Sequence, residues 1–225
     1  MTKWILACLG TACIALAATA GPLDLLEAAK TSAHDAAMTM ARKSNANQAE
    51  ADGTTALHWA VRNDDIQLAD KLLKLGAKVD AANRFGVTPL YLACVNGSAM
   101  MLDVLLKAGA DPNSVSSEGE TALMTVARTG NVDAARMLLD RGAKVDAREQ
   151  WRGQTALMWA VAQNHPSMVK LLIQRGADVN ARSEIKKWER QVTSEPRDKW
   201  LPPGGLTPLL FAAREACLEC AKILV

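Results

Sequence analysis

Large aromatic side chains are scarce in this chain: two phenylalanines, one tyrosine and six tryptophans are 4% of its 225 residues. That rules against a large aromatic core and suits alanine- and leucine-rich helices, since the hydrophobic fraction is still 49%. Charge of one sign is lacking too. The formal net charge is +2 and no basic run occurs, which argues against nucleic acid as a partner. Histidine is rare, and His34, His58 and His165 lie far apart. No Ser–His–Asp or paired-carboxylate grouping is legible, so the expectation is a non-catalytic protein without cofactor or metal. Only one long apolar run exists, from Trp4 to about Ala18. It is shorter than the ~20 residues a membrane span needs.

What the chain has instead is repetition. Thr55-Ala56-Leu57, Thr88-Pro89-Leu90, Thr121-Ala122-Leu123, Thr155-Ala156-Leu157 and Thr207-Pro208-Leu209 follow one another at steps of 33, 33, 34 and 52 residues. Gly76-Ala77, Gly109-Ala110, Gly142-Ala143 and Gly176-Ala177 keep the same beat. An apolar pair starts 17 residues after every threonine, from Leu72-Leu73 through Leu105-Leu106, Leu138-Leu139 and Leu172-Ile173 to Leu224-Val225. The varying step therefore lies in the connections: one extra residue near Trp151 and about 19 between Arg182 and Gly205. Self-similarity at this period means stacked units that bury their apolar faces only against neighbours.

The unit from Gly86 to Asn113 shows the physics. Gly86 suits a tight turn. Thr88 is a good N-cap, and Pro89 fits the first helical position, where a missing N–H costs nothing. Leu90, Leu92, Ala93 and Cys94 make a short apolar helix that Gly97 ends. A second helix presents Met101, Val104, Leu105 and Leu106 on one face, and Gly109 closes it. The first helix is too short to be stable alone and must be sandwiched.

Asp52-Gly53-Thr54-Thr55-Ala56-Leu57-His58-Trp59-Ala60 resembles the opening phrase of an ankyrin repeat, and Gly176-Ala177-Asp178-Val179-Asn180 resembles its closing phrase. The resemblance covers roughly residues 48 to 225. It implies an all-α solenoid of stacked helix-turn-helix units with hairpin loops. Departures are local: Ala replaces Pro at 56, 122 and 156, and Asp64, Asn164 and Ala216 stand where the inter-helix turn favours Gly. Alanine tolerates the left-handed conformation least well of the three, so an irregular last turn is expected.

The ends differ from the middle. Lys3, the apolar run and Ala18-Thr19-Ala20 read as a secretory signal peptide over residues 1–20, with an uncleaved anchor as the alternative. A periplasmic or secreted product follows, with no membrane insertion after cleavage. Residues 21–47 read as a degenerate capping repeat, 48–182 as four repeats, 183–204 as an insertion and 205–225 as a truncated fifth repeat. Val225 precedes any Gly-Ala closure. This leaves a second functional reading: the scaffold arm of a longer redox or catalytic protein whose active module lies beyond Val225.

Cys94 replaces an alanine in a packed helix and reads as a small core residue. Cys217-Leu218-Glu219-Cys220 reads as a structural pair of thiols, with a disulfide or half a metal site as alternatives. Trp59 and Trp159 share one register, which favours packing over ligand contact.

The resemblance implies protein–protein recognition through hairpin tips and the outward residues of the first helices, on the concave side of the stack. Carried over, these are Asp52, Thr54, Arg62 and Asn63, then Arg84, Phe85, Val87 and Asn96. Glu118, Glu120, Arg128 and Thr129 follow, then Trp151, Arg152, Gln154 and Gln163. Trp188 and Trp200 in the insertion complete the set, because long insertions in repeat proteins map to one face. Aromatic and arginine side chains are the usual interface anchors.

Overall fold

The computed structural model describes residues 24–185 and 204–225. The expected leader, Trp188, Trp200 and most of the insertion lie outside them. Among the described residues are twelve short helices and no strand: α1 Leu25–Lys30, α2 His34–Met40, α3 Ala56–Arg62, α4 Ile66–Lys74, α5 Pro89–Asn96, α6 Ala99–Lys107, α7 Ala122–Thr129, α8 Val132–Asp140, α9 Ala156–Ala162, α10 Pro166–Gln174, α11 Pro208–Arg214 and α12 Leu218–Leu224. Consecutive helices pair as antiparallel hairpins. The odd-numbered helices stack in one row and the even-numbered in a second.

The sequence periodicity sets this packing. Leu57, Leu90, Leu123 and Leu157 are fully buried, as are Leu72, Leu105, Leu138 and Leu172. Each such side chain contributes about 1.5–3 kcal/mol on leaving water, and together they join the pairs into one continuous core. Leu209, the fifth copy of the phrase, is 41% exposed. The other four are covered by the pair that follows, and no described pair follows α11 and α12.

The first helices of the last five pairs start on a threonine and α1 starts on Asp24, and all six are followed by a left-handed turn. The hydroxyls of Thr88, Thr121 and Thr207 accept the N–H three residues on, at 3.2, 3.3 and 3.4 Å. The turn residue has positive φ throughout: Ser32, Asp64, Gly97, Gly130, Asn164 and Ala216. The last turn is not irregular. Ala216 has φ 54°, like Asp64. The next N–H reaches back to the first helix as it does elsewhere: Cys217 N to Ala212 O at 2.9 Å, against Asp65 N to Ala60 O at 2.8 Å. The alanine bears the local strain because the surrounding pair fixes the turn.

Beside it, Cys217 and Cys220 form a disulfide and not the expected pair of thiols. The cause is positional. Cys217 is the N-cap of α12 and Cys220 lies in its first turn, so their Cα atoms are 5.3 Å apart, within bridging range. Both are buried. Cys94 is free and buried, and burial pushes its thiol up to about 12, which leaves it a packing residue. No helix among the described residues is long and apolar enough to cross a membrane.

Candidate functional site

Between one helix pair and the next the chain runs out into a hairpin and back. Five such tips line up along one edge of the stack. Each is closed by the same backbone bond: Glu50 N to Thr54 O, Asn83 N to Val87 O, Ser116 N to Glu120 O, Glu149 N to Gln154 O and Ser183 N to Leu206 O, all between 2.9 and 3.1 Å. The fifth tip is closed at Ser183 and Leu206, and residues 186–203 between them lie outside the described residues. Neighbouring tips are tied by Arg84 N to Asp52 O at 2.8 Å, Gln150 N to Glu118 O at 3.1 Å and Glu184 N to Arg152 O at 2.7 Å. The approach is close: Gly86 has φ +71°, and a Cβ there would lie 2.6 Å from the Ser117 nitrogen.

In every tip but the first, the closing residue also folds the tip with its side chain. Asn83 Oδ1 accepts the N–H groups of Phe85 and Val87 at 3.0 and 3.1 Å. Ser116 Oγ does the same for Glu118 and Glu120 at 3.3 and 3.2 Å. The fourth tip is one residue longer, and there the longer Glu149 stands. Its carboxylate, almost fully buried, accepts the N–H groups of Trp151, of Arg152 at 2.8 Å and of Gln154 at 2.9 Å. The extra residue that lifts Trp151 outward is matched by an extra side-chain methylene. Glu149 was missed in the sequence because a carboxylate used inside a hairpin looks like any surface charge.

His58 links one unit to the next. Its Nδ1 accepts the N–H and hydroxyl of Thr55 at 3.1 and 2.8 Å, so the proton lies on Nε2, which donates to the Val87 carbonyl at 3.0 Å. The side chain is buried, and desolvation holds its pKa below the usual value. At the turn edge, His165 Nε2 donates to the Arg128 carbonyl at 3.1 Å. At the N-terminal end, His34 Nδ1 meets Asp65 at 2.6 Å, and the Asp65 hydrogen bond and charge raise its pKa.

A family model for ankyrin repeats (3 copies) matches residues 14–116 and again 101–183, more than half the chain. This is an ankyrin-repeat protein. No curated protein matches the chain. Ankyrin repeats are generally protein–protein interaction modules, which directs attention to the hairpin edge of this ankyrin array.

The array places the sequence-derived contact residues unequally. Phe85 and Trp151 are 52% and 60% exposed on their tips. Arg84 is exposed, its guanidinium 4.6 Å from the centre of the Phe85 ring. Arg152 and Gln163 are exposed as well. Arg62 leans over Trp59, and Arg128 sits 3.7 Å from Glu120. Thr129 turns its hydroxyl back to the Val126 carbonyl at 3.2 Å.

Asn63 and Asn96 are exposed, yet their amides stitch units together. Asn63 donates to the Ala29 carbonyl at 2.8 Å, and Asn96 to those of Val61 and Arg62 at 2.9 and 3.1 Å. Thr54, expected outward, is buried. Asp52 holds the first tip by accepting the Thr54 N–H at 2.8 Å, which lowers its pKa.

Two of the concavities among the described residues interrupt the edges. One, of about 210 Å³, lies at the third and fourth tips between Glu118, Glu120, Glu149, Trp151, Arg152, Gln154 and Trp159. The other, of about 280 Å³, lies at the N-terminal turns around His34, Asn63 and Asp65. Both fall below the ~300–1,000 Å³ usual for small-molecule pockets. Among the described residues no three of His, Cys, Asp and Glu are grouped to hold a metal.

Proposed function

We propose that this ankyrin array is an exported recognition scaffold, which binds a protein partner through its hairpin tips and the adjoining outward residues of the first helices. The observation that carries the reading is the tied row of tips, along which Arg84, Phe85, Trp151 and Arg152 stand exposed on rigid hydrogen-bonded supports. Exposed aromatic and arginine side chains on a preorganised surface are what interface energetics favour. Asn63 and Asn96 serve mainly to hold the stack, so the anchors in this reading are Arg84, Phe85, Arg128, Trp151 and Arg152.

Export rests on the leader pattern of Lys3, the Trp4–Ala18 apolar run and Ala18-Thr19-Ala20. The test of the whole reading is capture of a partner from the cell envelope with the array as bait. Phe85→Ala and Trp151→Ala each lose the captured protein while circular dichroism stays helical. Capture that survives both substitutions refutes the hairpin surface. Intact Met1 on protein recovered from the cytosol refutes export.

A further inference from the structure

Trp59 and Trp159 stand at the same register, four residues beyond the N-cap threonines Thr55 and Thr155, yet their surroundings differ. Trp59 is closed over. Its Nε1 donates to Glu50 at 3.3 Å, and the Lys30 ammonium, itself 3.3 Å from Glu50, lies 5.2 Å from the ring centre. The Arg62 guanidinium lies over the same ring at 5.4 Å. The chain thus fills this position with a lysine held between an indole face and a carboxylate, within the ~6 Å range of cation–π attraction.

At Trp159 every one of those partners is missing or occupied. Glu149 stands in the place of Glu50, but its carboxylate is taken by its own hairpin N–H groups. Ala162 stands in the place of Arg62. Arg128, two residues before the left-handed turn as Lys30 is, pairs with Glu120 instead. The Trp159 Nε1 is buried with no hydrogen-bond partner. What remains over the indole is the cleft of about 210 Å³, whose third carboxylate, Glu118, is exposed on the neighbouring tip. The cleft lining itself carries three carboxylates, Glu118, Glu120 and Glu149, against the one guanidinium of Arg152.

From this contrast, and resting on the hairpin-face reading above, we infer that the Trp159 cleft receives a lysine or arginine side chain from an extended segment of the partner protein. The cation takes the place Lys30 has over Trp59, on the indole of Trp159 and beside Glu118, with Trp151 as the outer wall. The cleft's small volume fits one long side chain and excludes a bulky cofactor.

The test uses the full chain with ¹⁵N-labelled tryptophan and three blocked pentapeptides, Gly-Ser-Xaa-Ser-Gly, in which Xaa is arginine, lysine or the neutral isostere citrulline. The Trp159 indole signal is assigned from its loss in Trp159→Phe. Arginine and lysine peptides shift that signal saturably and leave Trp59 unmoved. Glu118→Gln, an exposed substitution, weakens their binding about tenfold, the loss expected for one charge-assisted partner of a cation. No saturable shift, or an equal shift with the citrulline peptide, overturns the inference. Capture of a partner lost in Phe85→Ala but retained in Glu118→Gln, with no peptide shift, overturns this inference and leaves the hairpin reading standing.

Discussion

The Glu149 carboxylate accepts the Gln154 N–H at 2.9 Å across a hairpin one residue longer than those that Asn83 and Ser116 close. Side-chain length and loop length are matched. Glu149→Ala therefore removes three charge-assisted bonds and costs about 1.5–3 kcal/mol, while Asn83→Ala, which loses two neutral backbone bonds and a long Nδ2 contact to the Thr54 hydroxyl at 3.5 Å, costs about 1 kcal/mol. Urea titration of the two variants checks the order. Glu149→Asn is too short to span the tip and behaves like the alanine variant.

The pKa values of His58 and His34 are shifted in opposite directions. Burial lowers the His58 pKa below 6.5, so the unfolded chain takes up a proton more readily and stability is lost as pH falls below 6.5. Asp65 raises the His34 pKa, so its stabilising contribution is complete below 6.5 and is lost as pH rises through the raised value. Denaturant midpoints between pH 5 and 8 separate them. His58→Gln flattens the acid side of the profile, and His34→Gln flattens the neutral side.

Burial and exposure set a third contrast. Leu105 and Leu138 are fully buried between units, and either changed to alanine costs about 2–5 kcal/mol. Arg84 stands exposed on its tip, and Arg84→Ala changes stability by less than about 0.5 kcal/mol. Equal losses in the two classes would mean that the repeat register is misplaced.

The helices, their order and the leucine seam were legible because they follow local rules repeated five times: a threonine cap, an apolar stripe, a left-handed turn. The candidate face was legible only as positions. That Asn63 and Asn96 reach back about one unit to backbone carbonyls depends on a neighbour some 34 residues away, and the sequence shows only an exposed amide. Glu149 was invisible for the same reason. Trp59 and Trp159 looked alike by register, and their difference arises from Glu50, Lys30 and Arg62, none of them adjacent in sequence. The Cys217–Cys220 bridge turned on whether an N-cap and a first-turn side chain face each other, which spacing leaves open.

Ala216 and the disulfide hold one turn between them. Ala216→Gly relieves a left-handed alanine and raises stability by about 1 kcal/mol. Replacing Cys217 and Cys220 by serine removes a short cross-link and costs about 2 kcal/mol on the chain-entropy model. Hydrogen exchange reads both effects at α12, where amide protection rises in the first variant and falls in the second.

On the proposed reading, partners engage the hairpin tips. Site-specific photo-cross-linking tests it most directly, with benzoylphenylalanine placed in turn at Phe85, at Trp151 and at Arg136, an exposed position on α8 in the second row of helices. Positions 85 and 151 are expected to give one and the same cross-linked partner, and position 136 none. Adducts from position 136 with none from 85 and 151 would contradict it.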